Sequence, residues 1–248
     1  MRESRRLLRD DQWVKLEPLL PGKPGDPGAT AQDNRLFLEA VLWIVRTGSP
    51  WRDLPAELGN WHTTYTRFKR WGETGVWQRL VESVSGDRDL EALMIDSTAV
   101  RAHQHAAGAQ KKRRSSSDRS FARRIDQQDS CGGRRLGQSG ALGEVADITQ
   151  GKALLEGMTP QAVLADKGYD ADDLLNYIQA NNAQAVIPPK RNRVVQREYD
   201  RHLYKDRNLV ERSFNRIKQF RRIATRYEKL ARNYLSFINL VCVYIWLL

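Results

Sequence analysis

Two aspartates in this sequence close short apolar runs: Asp96 follows Ala92-Leu93-Met94-Ile95, and Asp166 follows Ala162-Val163-Leu164-Ala165. The carboxyl ends of buried strands are where open sheets gather ligands. An aspartate closing a strand is also a common turn or helix cap, so neither residue defines a site alone. A third carboxylate, Glu211, stands in YKDRNLVERSFNRIKQFRR, Tyr204 to Arg222, among seven Lys and Arg residues. On a helix at about 100° per residue, Tyr204, Arg207, Glu211 and Lys218 fall within roughly 60° of one another, beside an apolar stripe of Val210, Phe214 and Ile217. An Arg207–Glu211 pair at i,i+4 accounts for the glutamate but not for a tyrosine and a lysine on the same line. Three carboxylates brought together repel unless a cation sits between them. Oxygen ligands suit Mg²⁺ or Mn²⁺, and two such ions can clamp the attacking and leaving oxygens of a phosphodiester.

The elements that must position these groups fall into two stretches. Asp11 before QWVKLEPLL predicts an N-capped helix stopped by Pro21, and PGKPGDPG predicts a loop. In DNRLFLEAVLWIVRTG, Phe37, Val41, Ile44 and Val45 repeat at helical spacing and Gly48 sits where a C-terminal cap belongs. Ser49-Pro50 predicts a cap with proline at the first helical position, and Asn60 a cap for WHTTYTRFKRW. There Trp61, Tyr65, Phe68 and Trp71 form a core-facing stripe. Arg67, Lys69 and Arg70 project outside it, the face that a helix-turn-helix reader offers to DNA. After Gly86 the pattern changes: LEALMIDSTAV reads as a strand, AVLADKGYDADDLL as strand, turn and helix, and AQAVIPPK as a strand. Strands alternating with helices imply an α/β domain, so the boundary is placed at 86.

The 248 residues carry a net charge of +11 with 40% apolar content. That is enough for a real core, with an excess of cations of the kind that neutralises phosphates. Nucleic acid is therefore the expected partner, and no basic amphipathic N-terminus points to a membrane surface. Cys131 and Cys242 stand far apart without a partner motif, which excludes a cysteine zinc site and fits a reducing compartment. MRESRRLLRDD lacks the apolar core of a signal peptide, so the protein is expected in the cytoplasm, associated with the nucleoid. The apolar end, YLSFINLVCVYIWLL, is short of the ~20 residues that span a bilayer and reads as a buried helix.

The Tyr204, Arg207, Glu211, Lys218 series has the Y-(2)-R-(3)-E-(6)-K spacing of bacterial insertion-sequence transposases of the DDE class. The chain resembles the insertion-sequence-five family in particular. MIDSTAVRAHQHAAGA, VLADKGYDAD, RLFLEAVLWIVRTGSPWRDLP and NWHTTYTRFKRW carry further resemblance, which reaches nearly everything except about 113–143. It implies a ribonuclease-H-like catalytic domain over 87–248, preceded by a helical DNA-binding region over 1–86. Asp96, Asp166 and Glu211 would bind two Mg²⁺ or Mn²⁺ ions. DNA would be cut at the element's ends and the 3′-hydroxyl transferred to target DNA. Tyr204, Arg207 and Lys218 would hold the terminal nucleotides, and the active assembly would be a homo-oligomer on double-stranded DNA. His103 and His105, after the first acid, have the i,i+2 spacing of metal-ligand histidines but are expected to hydrogen-bond near the strand instead, and Asp147, Asp170, Asp172 and Asp173 are assigned to capping of turns and helix starts.

One segment departs from that family. Where an antiparallel strand pair should complete the sheet, the chain reads KKRRSSSDRSFARRIDQQDSCGGRRLGQSGALGE, without alternation and almost without β-branched residues. A basic, serine-rich segment of this kind also suits a disordered DNA-binding insert. Residues 119–142 can, however, be encoded so that reading one nucleotide later gives DRSRGGLTSKIHAVVDALGNPVRL, which has the missing alternation. The expectation is a segment translated out of frame between two compensating indels, a missing strand pair, and an unpaired edge beside the Asp96 strand. The alternatives are a non-catalytic DNA-binding remnant and a metal-dependent nuclease unrelated to transposition.

Overall fold

The structure, a computed structural model, describes residues 7–23, 25–26, 33–85, 92–99, 101–102, 120–127, 134–135, 151–152 and 154–247. His103, His105 and Asp147 lie outside them. The chain forms two compact units, one of residues 1–86, 102–109 and 216–248, the other of residues 87–101 and 110–215. The C-terminal 33 residues, 216–248, thus belong with the N-terminal helices rather than with the sheet.

In the first unit, helix α1 (Asp10–Leu16) begins one residue before the expected cap. Gln12 Oε1 accepts the Arg9 amide at 2.9 Å, while Asp11 pairs with the Arg9 guanidinium at 2.9 Å. Helix α2 (Asn34–Thr47) is capped by Asp33, which accepts the Leu36 amide at 2.8 Å, and ends at Gly48 with φ 75°. That left-handed angle is the reason for glycine there. Phe37, Val41, Ile44 and Val45 are all buried, as their spacing predicts. Pro50 precedes the short 3₁₀ helix Trp51–Asp53 instead of opening it. Helix α3 (Trp61–Glu73) starts at Asn60, whose Oδ1 accepts the amides of His62 and Thr63 at 2.9 and 3.1 Å. Helix α4 (Val76–Ser85) and the C-terminal helix (Ala231–Trp246) pack together.

Aromatic rings weld these helices. Phe68 stacks on Phe237 at 4.4 Å, Trp71 meets Trp77 at 5.0 Å and the Phe37 edge at 4.9 Å, and Trp77 Nε1 donates to the Phe68 carbonyl. Burying rings of this size supplies much of the unit's stability, with about 0.5–1.5 kcal/mol per ring pair beyond area burial. Among the described residues no helix is long and apolar enough to cross a membrane.

The second unit is built on a five-stranded sheet. Its strands are β1 (Ala92–Ala99), β2 (Ser120–Gln127), β3 (Arg134–Arg135), β4 (Ala162–Ala165) and β5 (Gln184–Val186), in the order β3-β2-β1-β4-β5. Strand β1 runs parallel to β4, and β4 parallel to β5. Val163 and Ala165 face a core of Leu154, Tyr169, Leu174, Leu175 and Ile178, in which helix α5 (Asp172–Ala180) covers the sheet.

The expected missing strand pair is corrected here. Strand β2 pairs antiparallel with β1 along its whole length, from Ala92↔Gln127 to Ala99↔Ser120, and β3 pairs with β2, so β1 is an inner strand. The physical reason is that a ladder is made by backbone N–H and C=O groups, which every non-proline residue carries. Residues 113–150 contain no proline. Weak alternation therefore did not prevent pairing, because unpaired donors on β1 are the costlier outcome.

Candidate active site

The parallel register decides where the first two acids meet. The last β1–β4 partners are Ile95 and Ala165, so the next residue on each strand is an acid, Asp96 on one and Asp166 on the other. Adjacent strands lie about 4.8 Å apart, which makes the two aspartates backbone neighbours. Asp166 lies just past the carboxyl end of β4, whereas Asp96 lies within β1, which runs on to Ala99 instead of closing at the acid as its apolar run suggests. On its other side Asp96 is in register with Arg123 of β2. The side chain of Asp96 lies outside the described residues.

Asp166 caps the 3₁₀ helix Lys167–Tyr169, its Oδ1 accepting the Gly168 amide at 2.9 Å. A Cβ on residue 168 would stand 2.8 Å from that oxygen, so glycine lets the carboxylate sit against the turn. Oδ2 accepts no hydrogen bond from a described residue, which leaves it a free hard oxygen.

The segment that carries the third acid is not one continuous helix. Helix α6 (Arg201–Tyr204) passes through a 3₁₀ turn, Lys205–Arg207, into helix α7 (Asn208–Lys218). The turn shifts the helical phase, yet it keeps Tyr204, Arg207 and Glu211 in line. The Arg207 guanidinium lies 5.9 Å from the Tyr204 ring centre and pairs with Glu211 at 3.1 Å. The simple i,i+4 pair is therefore real, but it is one link of a longer chain. Helix α6 packs on β5, and burial pushes the Tyr204 hydroxyl above its ordinary value, with Arg207 opposing and Asp166 adding to the rise. Glu211 keeps 53% of its side chain exposed, and its second oxygen has no partner among the described residues. Lys218 ends α7 and is exposed.

The cations expected on α3 separate. Arg67 is turned inward, 4.3 Å over the Phe37 ring and 4.8 Å over Trp71, and donates to Asn34 Oδ1. Burial, and then Arg70, hold its pKa below the usual arginine range. Lys69 lies 3.8 Å from Glu73, and Arg70 is exposed.

A residue assigned to local capping does something else. Asp170 has a side chain with 0% exposure, and its carboxylate accepts the Lys190 amide at 2.7 Å, Arg193 Nε at 2.7 Å and Arg197 Nη2 at 2.6 Å. Burial pushes its pKa up, but Arg193, the Lys190 amide and Arg197 together hold it below the usual carboxylate range. The signal was present in the sequence as the basic run 190–197, but pairing across twenty residues has no local pattern. Asp172 and Asp173 do open helix α5, and they also pair with Arg193 at 2.7 Å and Lys152 at 2.5 Å. No three His, Cys, Asp or Glu among the described residues form a metal-binding group, a set that leaves out the Asp96 side chain.

This geometry sets two acids on neighbouring parallel strands and a third on a basic segment in line with Arg207 and Tyr204. Residues 87–246 match the family described as transposase DDE domain, and residues 8–81 match the one described as putative transposase of IS4/5 family. The chain belongs to the DDE transposases, a family of polynucleotidyl transferases and endonucleases encoded by insertion sequences. It is 48% identical over 104 residues to an uncharacterized protein, y4sN, of Sinorhizobium fredii, covering 42% of this chain and 83% of that one. It is 39% identical over 109 residues to a putative transposase for insertion sequence element IS6501 of Brucella ovis, covering 42% and 82%. A 16.2 kDa uncharacterized protein of insertion element IS402 from Burkholderia cepacia is 37% identical over 108 residues, covering 39% and 74%. No solved structure matches the chain.

Proposed function

We propose that Asp96, Asp166 and Glu211 are the catalytic acids of a ribonuclease-H-like domain that cuts DNA at the ends of an insertion sequence and joins the freed end to target DNA. The observation that carries this reading is the β1–β4 register, which makes Asp96 and Asp166 neighbours where the pairing of those two strands ends. The Tyr204–Arg207–Glu211 line supports the assignment of the third acid. In the first step water breaks a phosphodiester, leaving a 3′-hydroxyl and a 5′-phosphate. In the second that hydroxyl attacks a target phosphodiester, and the displaced target strand leaves with its own 3′-hydroxyl.

The donor set fits two Mg²⁺ or Mn²⁺ ions. Asp166 Oδ2 and one oxygen of Glu211 are hard donors that accept no bond from a described residue. When bound, such ions supply Lewis acidity and a nucleophile at neutral pH. Arg207 and Tyr204 would hold the DNA backbone beside Glu211, Lys218 would bind DNA, and Lys69, Arg70 and Arg67 of α3 would serve the helical region. Of these three, Arg70 is the cation most available to phosphate, and Arg67 acts through packing. The partner is double-stranded DNA, and the active complex is a homo-oligomer working in the cytoplasm on the nucleoid.

Residues 119–142 are the product of a displaced reading frame, and β2 and β3 draw on that text. Backbone pairing tolerates this, but a misplacement of Asp96 by about 1 Å would lower the rate on the order of 10²-fold. The test is Mg²⁺-dependent cleavage and 3′-end joining on duplexes carrying the element's ends, for the chain as written and for one with residues 119–142 replaced by DRSRGGLTSKIHAVVDALGNPVRL. Cleavage that the replacement raises, and that Glu211→Ala removes, is the expected result. Sequence-specific binding without cleavage in both chains would make the protein a DNA-binding remnant, and cutting without end preference or joining a plain nuclease. Resequencing the gene across residues 106–150 checks the frame directly.

A further inference from the structure

The loop between β5 and α6 carries two neighbouring exposed valines. Val194 is 102% exposed and Val195 73%. Single exposed apolar residues are ordinary on a protein surface, but an adjacent β-branched pair at the tip of a braced loop is not scattered. The bracing comes from within the loop. Arg193 and Arg197 flank the valines and both end on Asp170, at 2.7 and 2.6 Å. The Arg193 amide donates to the Lys190 carbonyl at 3.1 Å, and Gln196 Nε2 donates to the carbonyls of Lys190 and Arg193 at 3.2 and 3.1 Å. The loop is thereby held in shape and cannot collapse to bury its tip.

Its anchor also fixes its place. Asp170 follows Asp166 by four residues, at the end of the 3₁₀ turn that Asp166 caps. At the other end of the loop, the edge of Tyr199 meets Tyr204 at 5.5 Å. The valine tip is therefore rigidly referenced to the end of the sheet that carries the second acid.

The surrounding charge favours one occupant. Arg191 is exposed and makes no ion pair with a described residue, Lys190 lies beside it, and Arg201 is exposed at the start of α6. Of the nearby acids, Asp170 and Asp172 are neutralised by Arg193 and Arg197, and Asp200 is committed to the amides of His202 and Leu203, leaving Glu198. An apolar tip set in a cationic rim complements duplex DNA, which has phosphates outside and apolar base faces between the steps. Apolar side chains inserted at a base step partly unstack it.

We infer that Val194 and Val195 form a wedge that enters the DNA held at this site and unstacks a base step, with Arg191 on an adjacent phosphate. The inference rests on the transposase reading and deepens it. The test uses the full chain and duplexes carrying the element's terminal repeats, read from the DNA flanking the gene, with 2-aminopurine placed singly at successive positions. Wild type should raise the probe's fluorescence several-fold at one step. V194S/V195S should return it to the free-duplex level while anisotropy still reports binding, and V194I/V195I should retain the rise. Equal enhancement in wild type and V194S/V195S, or binding without enhancement at any position, overturns the wedge alone. Self-association without DNA that V194S/V195S abolishes also overturns it, by assigning the valines to a contact between copies. Failure of wild type to bind any duplex overturns the DNA reading as well.

Discussion

Asp166 and Asp170 stand four residues apart at the two ends of one short turn, and their surroundings are opposite. Asp170 is wholly buried, and its two oxygens accept a main-chain amide and two guanidinium groups, three of about four acceptor sites. Asp166 is half-buried and accepts one amide, with no partner for its second oxygen among the described residues. A carboxylate whose acceptor capacity is filled by the protein holds a fold together, whereas one with capacity to spare is available to a cation or substrate. The turn thus joins a structural acid to a chemical one.

The sharpest way to break this comparison is to remove each acid in turn. Asp170→Ala leaves two arginines facing a buried void, and urea unfolding should show a loss of about 3–5 kcal/mol. Asp166→Asn should lose about 1 kcal/mol or less, the value of a cap. In the frame-repaired chain, however, it should cut Mg²⁺-dependent cleavage by on the order of 10³-fold, as several kcal/mol of transition-state stabilisation disappear. Unchanged stability in Asp170→Ala, or unchanged cleavage in Asp166→Asn, would reverse the assignment of the two residues.

Acid titration sharpens it further. The folded-state pKa of Asp170 lies below its unfolded value of about 3.9, so its contribution is fully present above that pH and is lost as pH falls through the folded value. Unfolding followed between about pH 5 and pH 2 should show this loss in wild type, and Asp170→Asn should flatten that part of the curve.

A smaller effect separates two arginines of α3 in the same way. Arg67→Ala should lower stability by about 1–2 kcal/mol, because its guanidinium packs over Phe37 and Trp71. Arg70→Ala should change stability by less than about 0.5 kcal/mol, yet weaken DNA binding and reduce the salt slope by about 1. Chemical denaturation and binding titrations across salt concentrations check both.

Periodicity and capping chemistry made most of the first unit readable. Phe37, Val41, Ile44 and Val45 could only face a core, Asn60 could only start a helix, and Gly48 could only end one, because those signals act within four residues of themselves. Asp166 was readable as a strand end for the same local reason, whereas β1 runs on past Asp96 to Ala99 because β2 pairs with it there. Strand β2 was misjudged because side-chain alternation was weak while the backbone's demand for partners, which the sequence does not display, was strong. Asp170 was misjudged because its partners lie 20 to 27 residues away.

What the sequence determined by itself was therefore the supply of groups: three acids, an aromatic core, a basic excess, and the local order of helices and strands. Only the tertiary structure decided their employment. Register made neighbours of Asp96 and Asp166, burial turned Arg67 away from solvent, and a distant loop filled the lone pairs of one aspartate while leaving those of another open. Each of those outcomes depends on desolvation and on pairing between distant segments, which no short window of residues can encode.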